Sequence, residues 1–445
     1  MTDSPFTISK VATSSAEKRA ISYASTIFNL FDSVLTTKQP ADRIIANYFR
    51  EHKKHGSKDR RVIRESLFSL FRWWGWIQQL GEYQQQETFF SMLASAAQLE
   101  NHSWIDIRDA WLTFGKHSHL ANPLPLSASD NVVDKLDLFK QFSQLDDCTL
   151  EQLLPAWFWQ HCIINSEIEK QAVIQAMSSR PPIWARAQQA STQNVLNRLS
   201  VDNIQAVGSE YFSDTINLGH NSVNLNQVAA YTEGLLEIQD IASQVIGQTC
   251  DPKPDSQWWD ACSGAGGKSL QLLSLMQQAG IEGHVTASDI RLNPLNELLK
   301  RAKRANFKQI SISPWKTEQL PVKSDFFDGV LVDAPCSCTG TWRRNPDMRW
   351  IDDVSSIEMK PQLQLDILNR SADAVKVGGE LVYATCSLAQ VENQQVVKAF
   401  LQSNVNFELV ILTHPFDGTQ SNMITVWPQQ ADSDGMFVAK MRRIK

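Results

Sequence analysis

The sequence predicts an α/β protein: a doubly wound, largely parallel sheet in the C-terminal half, preceded by a small α+β module and an all-helical N-terminal domain. Three observations predict it. From about Ala16 to Leu153 apolar residues recur at spacings of three and four, as in Ile44, Ile45, Tyr48 and Phe49, then Val62, Ile63, Leu67, Leu70 and Phe71. Between Ile183 and about Asn226 short strand-like runs surround one helical run, Val195 to Leu199. Beyond Tyr231, apolar runs ending in acidic or small residues alternate with helical stretches, the pattern of βαβ units.

With 445 residues, 42% of them hydrophobic and 20% charged, the chain has the length of about three domains, and its composition excludes collagen-like, low-complexity and disordered classes. The net charge of −6 excludes a protein coated in positive charge, so any nucleic-acid site must be a local patch. Seven cysteines without a C-x-x-C pair predict free thiols in a reducing compartment and no metal site. MTDSPFTISK lacks a secretion signal and no apolar run is long enough for a membrane helix, so a cytoplasmic location is expected. The tryptophan clusters Trp73, Trp74, Trp76 and Trp157, Trp159 are read as helix packing rather than base stacking.

The helical region, residues 1–155, contains one basic run. Residues 50–64, REHKKHGSKDRRVIR, carry seven Lys or Arg against two acids. Ser57 is expected to cap a helix there, placing Lys58, Arg60 and Arg61 at its start as candidate phosphate contacts. A polar stretch, Ala121 to Asp130, precedes a further helical piece that ends near Ser178, and Arg180-Pro181-Pro182 breaks the chain before the α+β module; linker helices and module together span residues 156–230. In residues 231–445 strands are expected near Trp258–Cys262, His284–Ser288, Gln309–Ile312, Gly329–Val332 and Glu380–Thr385. Helices are expected at Lys268–Gln278, Pro294–Ala305 and Leu363–Val375.

The first strand ends in Asp260-Ala261-Cys262-Ser263-Gly264-Ala265-Gly266-Gly267-Lys268-Ser269. A phosphate loop would need glycine where Cys262 stands, and a dinucleotide fingerprint would need its third glycine at Ser269. What remains is a turn for a ligand offering adenosine and an amino acid without pyrophosphate, as S-adenosylmethionine does. Asp289, one strand-helix-strand step on, suits the two ribose hydroxyls. Two further strand ends carry thiols, in Asp333-Ala334-Pro335-Cys336-Ser337 and Thr385-Cys386-Ser387. In a doubly wound sheet both can converge on one crevice.

These segments resemble the Nol/Nop/Sun family of RNA (cytosine-5) methyltransferases, in the order of its bacterial small-subunit ribosomal RNA branch, most closely from Tyr231 to Asn393. Glu237 to Ser243 matches the family's lead-in helix. Gly56 to Arg61 is similar to that branch's helical NusB-like RNA-binding domain, and Ser178 to Asn226 holds the place of its RRM-like module. The resemblance implies a Rossmann-like class I methyltransferase sheet with S-adenosylmethionine as cofactor and RNA, chiefly ribosomal, as partner. By it Cys386 is the nucleophile, Cys336 assists breakdown of the adduct, and Asp333 holds the cytosine edge. Cys262, Ser263, Gly264, Ala265, Gly266, Gly267, Lys268, Asp289 and Asp333 would line the cofactor pocket, and Arg343 and Arg344, in the polar loop Gly340 to Asp347, would meet RNA. Two departures stand out: Ala265 replaces the usual proline, and Ile312-Ser313-Pro314-Trp315-Lys316 lacks the usual acid near the adenine, where Trp315 offers stacking instead. The basic run Lys300, Arg301, Lys303, Arg304 and Lys308 is read as a solvated helix face. A monomer without membrane contact is expected. Competing readings are the same chemistry on transfer RNA, a silent RNA-binding assembly factor, and a nicotinamide oxidoreductase, the last disfavoured by Ser269.

Overall fold

The computed structural model describes residues 11–115, 129–164, 166–278, 280, 283–317 and 319–445; the first ten residues and most of the polar stretch from Ala121 lie outside them. By packing, the chain divides into two compact units. The first comprises residues up to 160 with Ile164–Ser179 and Trp342–Asp353; the second comprises His161–Ile163, Arg180–Thr341 and Val354–Lys445.

The first unit is helical. Its main helices run Ser15–Thr37, Ala41–Glu51, Ser57–Ile77, Gln86–Leu99, Ile105–Phe114, Val132–Ser143 and Glu167–Met177. Most bury one apolar stripe, while Gln86–Leu99 is buried on all sides from Thr88 on; Phe31, Phe71, Trp73, Trp76, Phe89 and Trp111 are almost fully enclosed, so the Trp73 cluster serves the core. The Ser57 helix is capped differently from the sequence expectation. Gly56 is the N-cap, and Asp59, three residues in, accepts the Gly56 backbone N–H at 3.0 Å.

The second unit holds two sheets. In the smaller, antiparallel sheet, β1 (Trp184–Ala187) is flanked by β3 (Thr215–Asn217) and β4 (Leu236–Ile238), with β2 (Val207–Gly208) outside β3. The helix Thr192–Val201 covers it through Val195 and Leu199. The sheet therefore continues past residue 230, and Glu237 lies on a strand: the lead-in helix begins only at Ile241, capped by Asp240.

The larger sheet places the chemistry. Its parallel part is β5 (Gln257–Asp260), β6 (His284–Ala287), β7 (Ile310–Ile312), β8 (Phe327–Asp333) and β9 (Val375–Thr385), in the order β9-β8-β5-β6-β7. The reversal at β5 and β8 is the switch point at which doubly wound sheets bind ligands, beyond the strands' carboxyl ends. Beyond β9 the chain adds β10 (Phe407–Leu409), the hairpin β11 (Leu412–Thr413) and β12 (Gln420–Ser421), then β13 (Met423–Val426) and β14 (Met436–Arg443). β14 inserts antiparallel between β9 and β10. Both faces of the sheet are buried, under Leu270, Leu273 and Met276 on one side and Leu368, Val397 and Phe400 on the other.

Candidate functional site

The glycine turn follows β5 and leads into the helix Gly267–Gln278. Ser263 ties it to the next strand end: its backbone N–H donates to the Ser288 carbonyl at 2.8 Å and its hydroxyl donates to the same oxygen. Gly264 and Gly266 both have positive φ, +52° and +83°. A Cβ at Gly266 would lie 2.4 Å from Leu298 Cγ, whereas one at Gly264 would meet nothing within 4 Å. Gly266 thus seats the turn against the helix Leu292–Arg304, and Gly264 leaves the backbone open to close approach. Arg301 donates to the Ala265 carbonyl, and the proline that would stiffen this turn is replaced by that tether.

Asp289 stands just past β6, where its Oδ2 accepts the Gly264 N–H at 3.1 Å. Arg291 bonds the same carboxylate through its backbone N–H and its guanidinium, and these bonds outweigh burial to hold the group below the usual carboxylate range. A ribose would therefore compete with the exposed Arg291 side chain for Asp289. Lys268 reaches from the turn's helix to Asp333 at the end of β8, Nζ to Oδ2 2.7 Å. Burial opposes the Lys268 charge, but the Asp333 carboxylate more than offsets it, and a Cys386 thiolate would add to the effect. Lys268 is thus a counter-ion shared by the turn, Asp333 and the thiols. Asp260 is buried with its Oδ2 on Ser269 and its Oδ1 unpartnered; burial pushes it up to about 7.

The two cysteine motifs converge. Asp333 on β8 is in register with Ala384 on β9, and Cys336 Sγ lies 3.3 Å from Cys386 Sγ across fifty residues of sequence. A third thiol, Cys338, joins them, and the three sulfurs lie within 4.8 Å of one another, also a donor set for a soft metal ion. The hydrogen bond with Cys336, that with Cys338, and burial raise the Cys386 thiol well above its ordinary value. The resting group is therefore a protonated thiol at neutral pH. Cys338 was not singled out in the sequence; its φ of +58° at an otherwise Gly-favouring position is the backbone feature that marks it.

Other expected site residues are placed elsewhere. Arg343 is 1% exposed within the helical unit, where its guanidinium donates to the Ser179 hydroxyl at 2.9 Å, so it is unavailable to RNA. The loop is held there by Trp342, fully enclosed against Trp157 and Phe158, and by Asp347, which accepts the Ala41 N–H. Arg344 is half-buried. Lys58 and Arg61 are exposed, Arg61 paired with Glu65; Arg60 is half-buried, bonded to the His55 carbonyl and lying over the Phe49 ring. Arg301 and Arg304 do not form a solvated face, since both bind the buried Glu237 carboxylate at 3.0 Å. Trp315 packs tilted against Trp259 with Arg370 over its ring, which makes it part of the core.

Comparison with known proteins adds to this geometry. The family described as "16S rRNA methyltransferase RsmB/F" matches residues 247–442, which contain the glycine turn, Asp289, Asp333 and both cysteine motifs. Residues 247–442 thus resemble the RsmB/F methyltransferases over just under half of the chain. A relative from Yersinia enterocolitica, "Ribosomal RNA small subunit methyltransferase B", is 30% identical over 294 residues, 65% of this chain and 66% of that protein, so the match spans just under two thirds of the relative's length. A solved structure described as PH0851 superposes with a TM-score of 0.70 at 23% identity, covering 98% of this chain and all of that one. Another, described as NSun6 from Pyrococcus horikoshii with SFG, gives 0.56 at 17% identity over 65% of this chain and 97% of its own. These two likenesses establish the fold. The cofactor of the RsmB/F family is S-adenosylmethionine, and the residues here fit it: an open backbone at Gly264, a carboxylate at the second strand tip, and an unpartnered buried oxygen on Asp260 at the end of β5.

Proposed function

We propose that this protein methylates carbon 5 of a cytosine in small-subunit (16S) ribosomal RNA, with S-adenosylmethionine as donor and a covalent Cys386-cytosine adduct as intermediate. The observation that carries this reading is the pair of thiols 3.3 Å apart beside the Lys268–Asp333 ion pair.

Carbon 5 of cytosine is a weak nucleophile, and addition of a thiolate at carbon 6 makes it an enamine that can attack a methyl group. S-adenosylmethionine supplies that methyl when bound. Cys386, at the end of β9, is the residue for the addition. Its raised value means the proton must leave as the bond forms, passing to the ring nitrogen at the edge that Asp333 holds, and the Lys268 ammonium favours the thiolate electrostatically. Asp333, fixed by Lys268, is aimed to hold the base edge as charge develops on the ring. In the elimination the Cys386–carbon-6 bond breaks, the Cys336 thiol passes its proton across 3.3 Å to the released Cys386 sulfur, and Cys336 takes the carbon-5 proton in its place.

Cys262 to Lys268 and Asp289 form the cofactor-binding set, and a target base in folded RNA must leave its stack to reach the thiols. Lys58 and Arg61, with Arg344, remain the proposed RNA contacts; Arg60 supports the helix start. Three functional regions follow, residues 1–155, 156–230 and 231–445, with the small antiparallel sheet assigned to the middle one although β4 lies beyond it. A monomer acting in the cytoplasm completes the reading; among the described residues no helix is long and apolar enough to cross a membrane.

Incubating the protein with labelled S-adenosylmethionine and separated small-subunit ribosomal and transfer RNAs tests the substrate. Label as 5-methylcytosine in the ribosomal RNA is expected, and label confined to transfer RNA would overturn that assignment.

A further inference from the structure

Glu392 has no part in the chemistry so far, yet it is fully buried and placed between the two cysteine loops. Its Oε1 accepts the backbone N–H of Ser337 at 2.9 Å and the Gln364 side-chain amide at 3.0 Å. Its Oε2 accepts the hydroxyls of both Ser337 and Ser387 at 2.5 Å. Ser337 directly follows Cys336, and Ser387 directly follows Cys386. One carboxylate therefore holds the residue after each thiol.

The surroundings fix Glu392 in turn. The Tyr383 hydroxyl donates to the Glu392 carbonyl at 2.6 Å, and the neighbouring Asn393 bridges Thr385 and the Ser387 carbonyl. Among the described residues no Lys, Arg or His forms an ion pair with Glu392. A buried carboxylate without a cation is costly, and hydrogen bonds alone hold this one. An apolar residue here would leave the Ser337 N–H, the Gln364 amide and both serine hydroxyls without this acceptor, so the carboxyl's place is set by the two loops it joins.

We propose that Glu392 is a positioning residue for the thiol pair: by binding Ser337 and Ser387 on one carboxylate, it sets the approach of Cys336 to Cys386 that the covalent step requires. The proposal rests on Cys386 and Cys336 being the reacting pair, but the spacing it describes can be measured without RNA. The charged or titratable groups facing Glu392 are Cys336 from the β8 end, Cys162 from the segment His161–Ile163 and Tyr383 from β9. None is a cation.

Two readouts on the full-length chain test it, both in a Cys338→Ser background so that only one partner thiol remains near Cys386. The first is oxidation by diamide, in which the Cys336 and Cys386 thiols lose two protons and two electrons, a sulfur–sulfur bond forms, and diamide is reduced to the hydrazine. The second is kcat against KM for methyl transfer. Glu392→Asp keeps the carboxyl group but is one methylene too short to span both serines, while Glu392→Gln keeps the length. Glu392→Asp should pair its thiols about tenfold more slowly and lose kcat by about tenfold or more with KM for S-adenosylmethionine unchanged. Glu392→Gln should retain pairing within about threefold, since the serine hydroxyls can rotate to suit an amide.

Unchanged pairing and unchanged kcat in folded Glu392→Asp would overturn the proposal. Slowed pairing in a protein whose wild type never forms an RNA adduct would support the positioning role while refuting the reaction. If Glu392→Asp fails to fold, slowed pairing in Ser337→Ala and in Ser387→Ala, each soluble and folded, supports the bridge. Normal pairing in both overturns it.

Discussion

Substituting Gly266 with alanine should damage the protein far more than the same change at Gly264, although both glycines lie in one turn with positive φ. Holding an L-residue in the left-handed region costs roughly 1–2 kcal/mol, and both positions incur it. Only Gly266 adds a collision, because the new Cβ would sit 2.4 Å from Cγ and 2.6 Å from Cδ1 of the fully buried Leu298. Overpacking of this kind costs about 1–3 kcal/mol. The expected losses are therefore roughly 2–5 kcal/mol for Gly266→Ala and roughly 1–2 for Gly264→Ala. Urea denaturation with the m-value held as a check measures both. Adding Leu298→Ala separates the two components: the clash, and only the clash, should disappear, giving a favourable coupling of about 1–3 kcal/mol. Equal losses at the two glycines, or no coupling with Leu298, would refute the argument that Gly266 seats the turn on that helix.

Cys338, at φ +58°, should be replaceable by glycine with a gain of about 1 kcal/mol in unfolding free energy, read by the same denaturation; a loss would mean that its sulfur contributes more than its backbone costs. Glu392, pushed up to about 7 from an ordinary 4.5 chiefly by burial, holds its proton to higher pH in the folded protein than in the unfolded chain. Its stabilising share is therefore complete below about pH 4.5 and is lost as pH approaches 7, so the stability of wild type relative to Glu392→Gln should fall by roughly 3 kcal/mol across that window. A flat difference would place the group in a more polar setting. Neutralising Lys58 and Arg61 together should weaken RNA binding and lower its logarithmic salt slope by about 1–2 in filter binding, and an unchanged slope would make this an ordinary solvated face.

The parallel strands were legible because each is a short apolar run that ends at an acidic or small residue, and those ends predicted both the sheet and the crevice. β14 was not legible. Lys440, Arg442 and Arg443 interrupt its apolar pattern, and only the structure shows Lys440 buried against Glu380, between β9 and β10. The reading of Arg343 failed for the converse reason: a run of polar residues looks solvated, but Trp342 draws it into the helical core. Arg301 and Arg304 failed in the same way, their partner Glu237 being more than sixty residues upstream. The cysteine motifs could be read because chemistry restricts which residues can do that work. Glu392 could not be, since its partners Ser337 and Gln364 lie 55 and 28 residues away and an acid in Val391-Glu392-Asn393-Gln394 reads as a loop.

The most direct test of the central claim is covalent trapping on small-subunit ribosomal RNA containing 5-azacytosine, which blocks release, in the presence of S-adenosylmethionine. The account predicts a denaturation-resistant protein–RNA adduct with wild type that is abolished in Cys386→Ala. An adduct that persists in Cys386→Ala, or none with a wild-type protein shown to be folded and to bind S-adenosylmethionine, would contradict it.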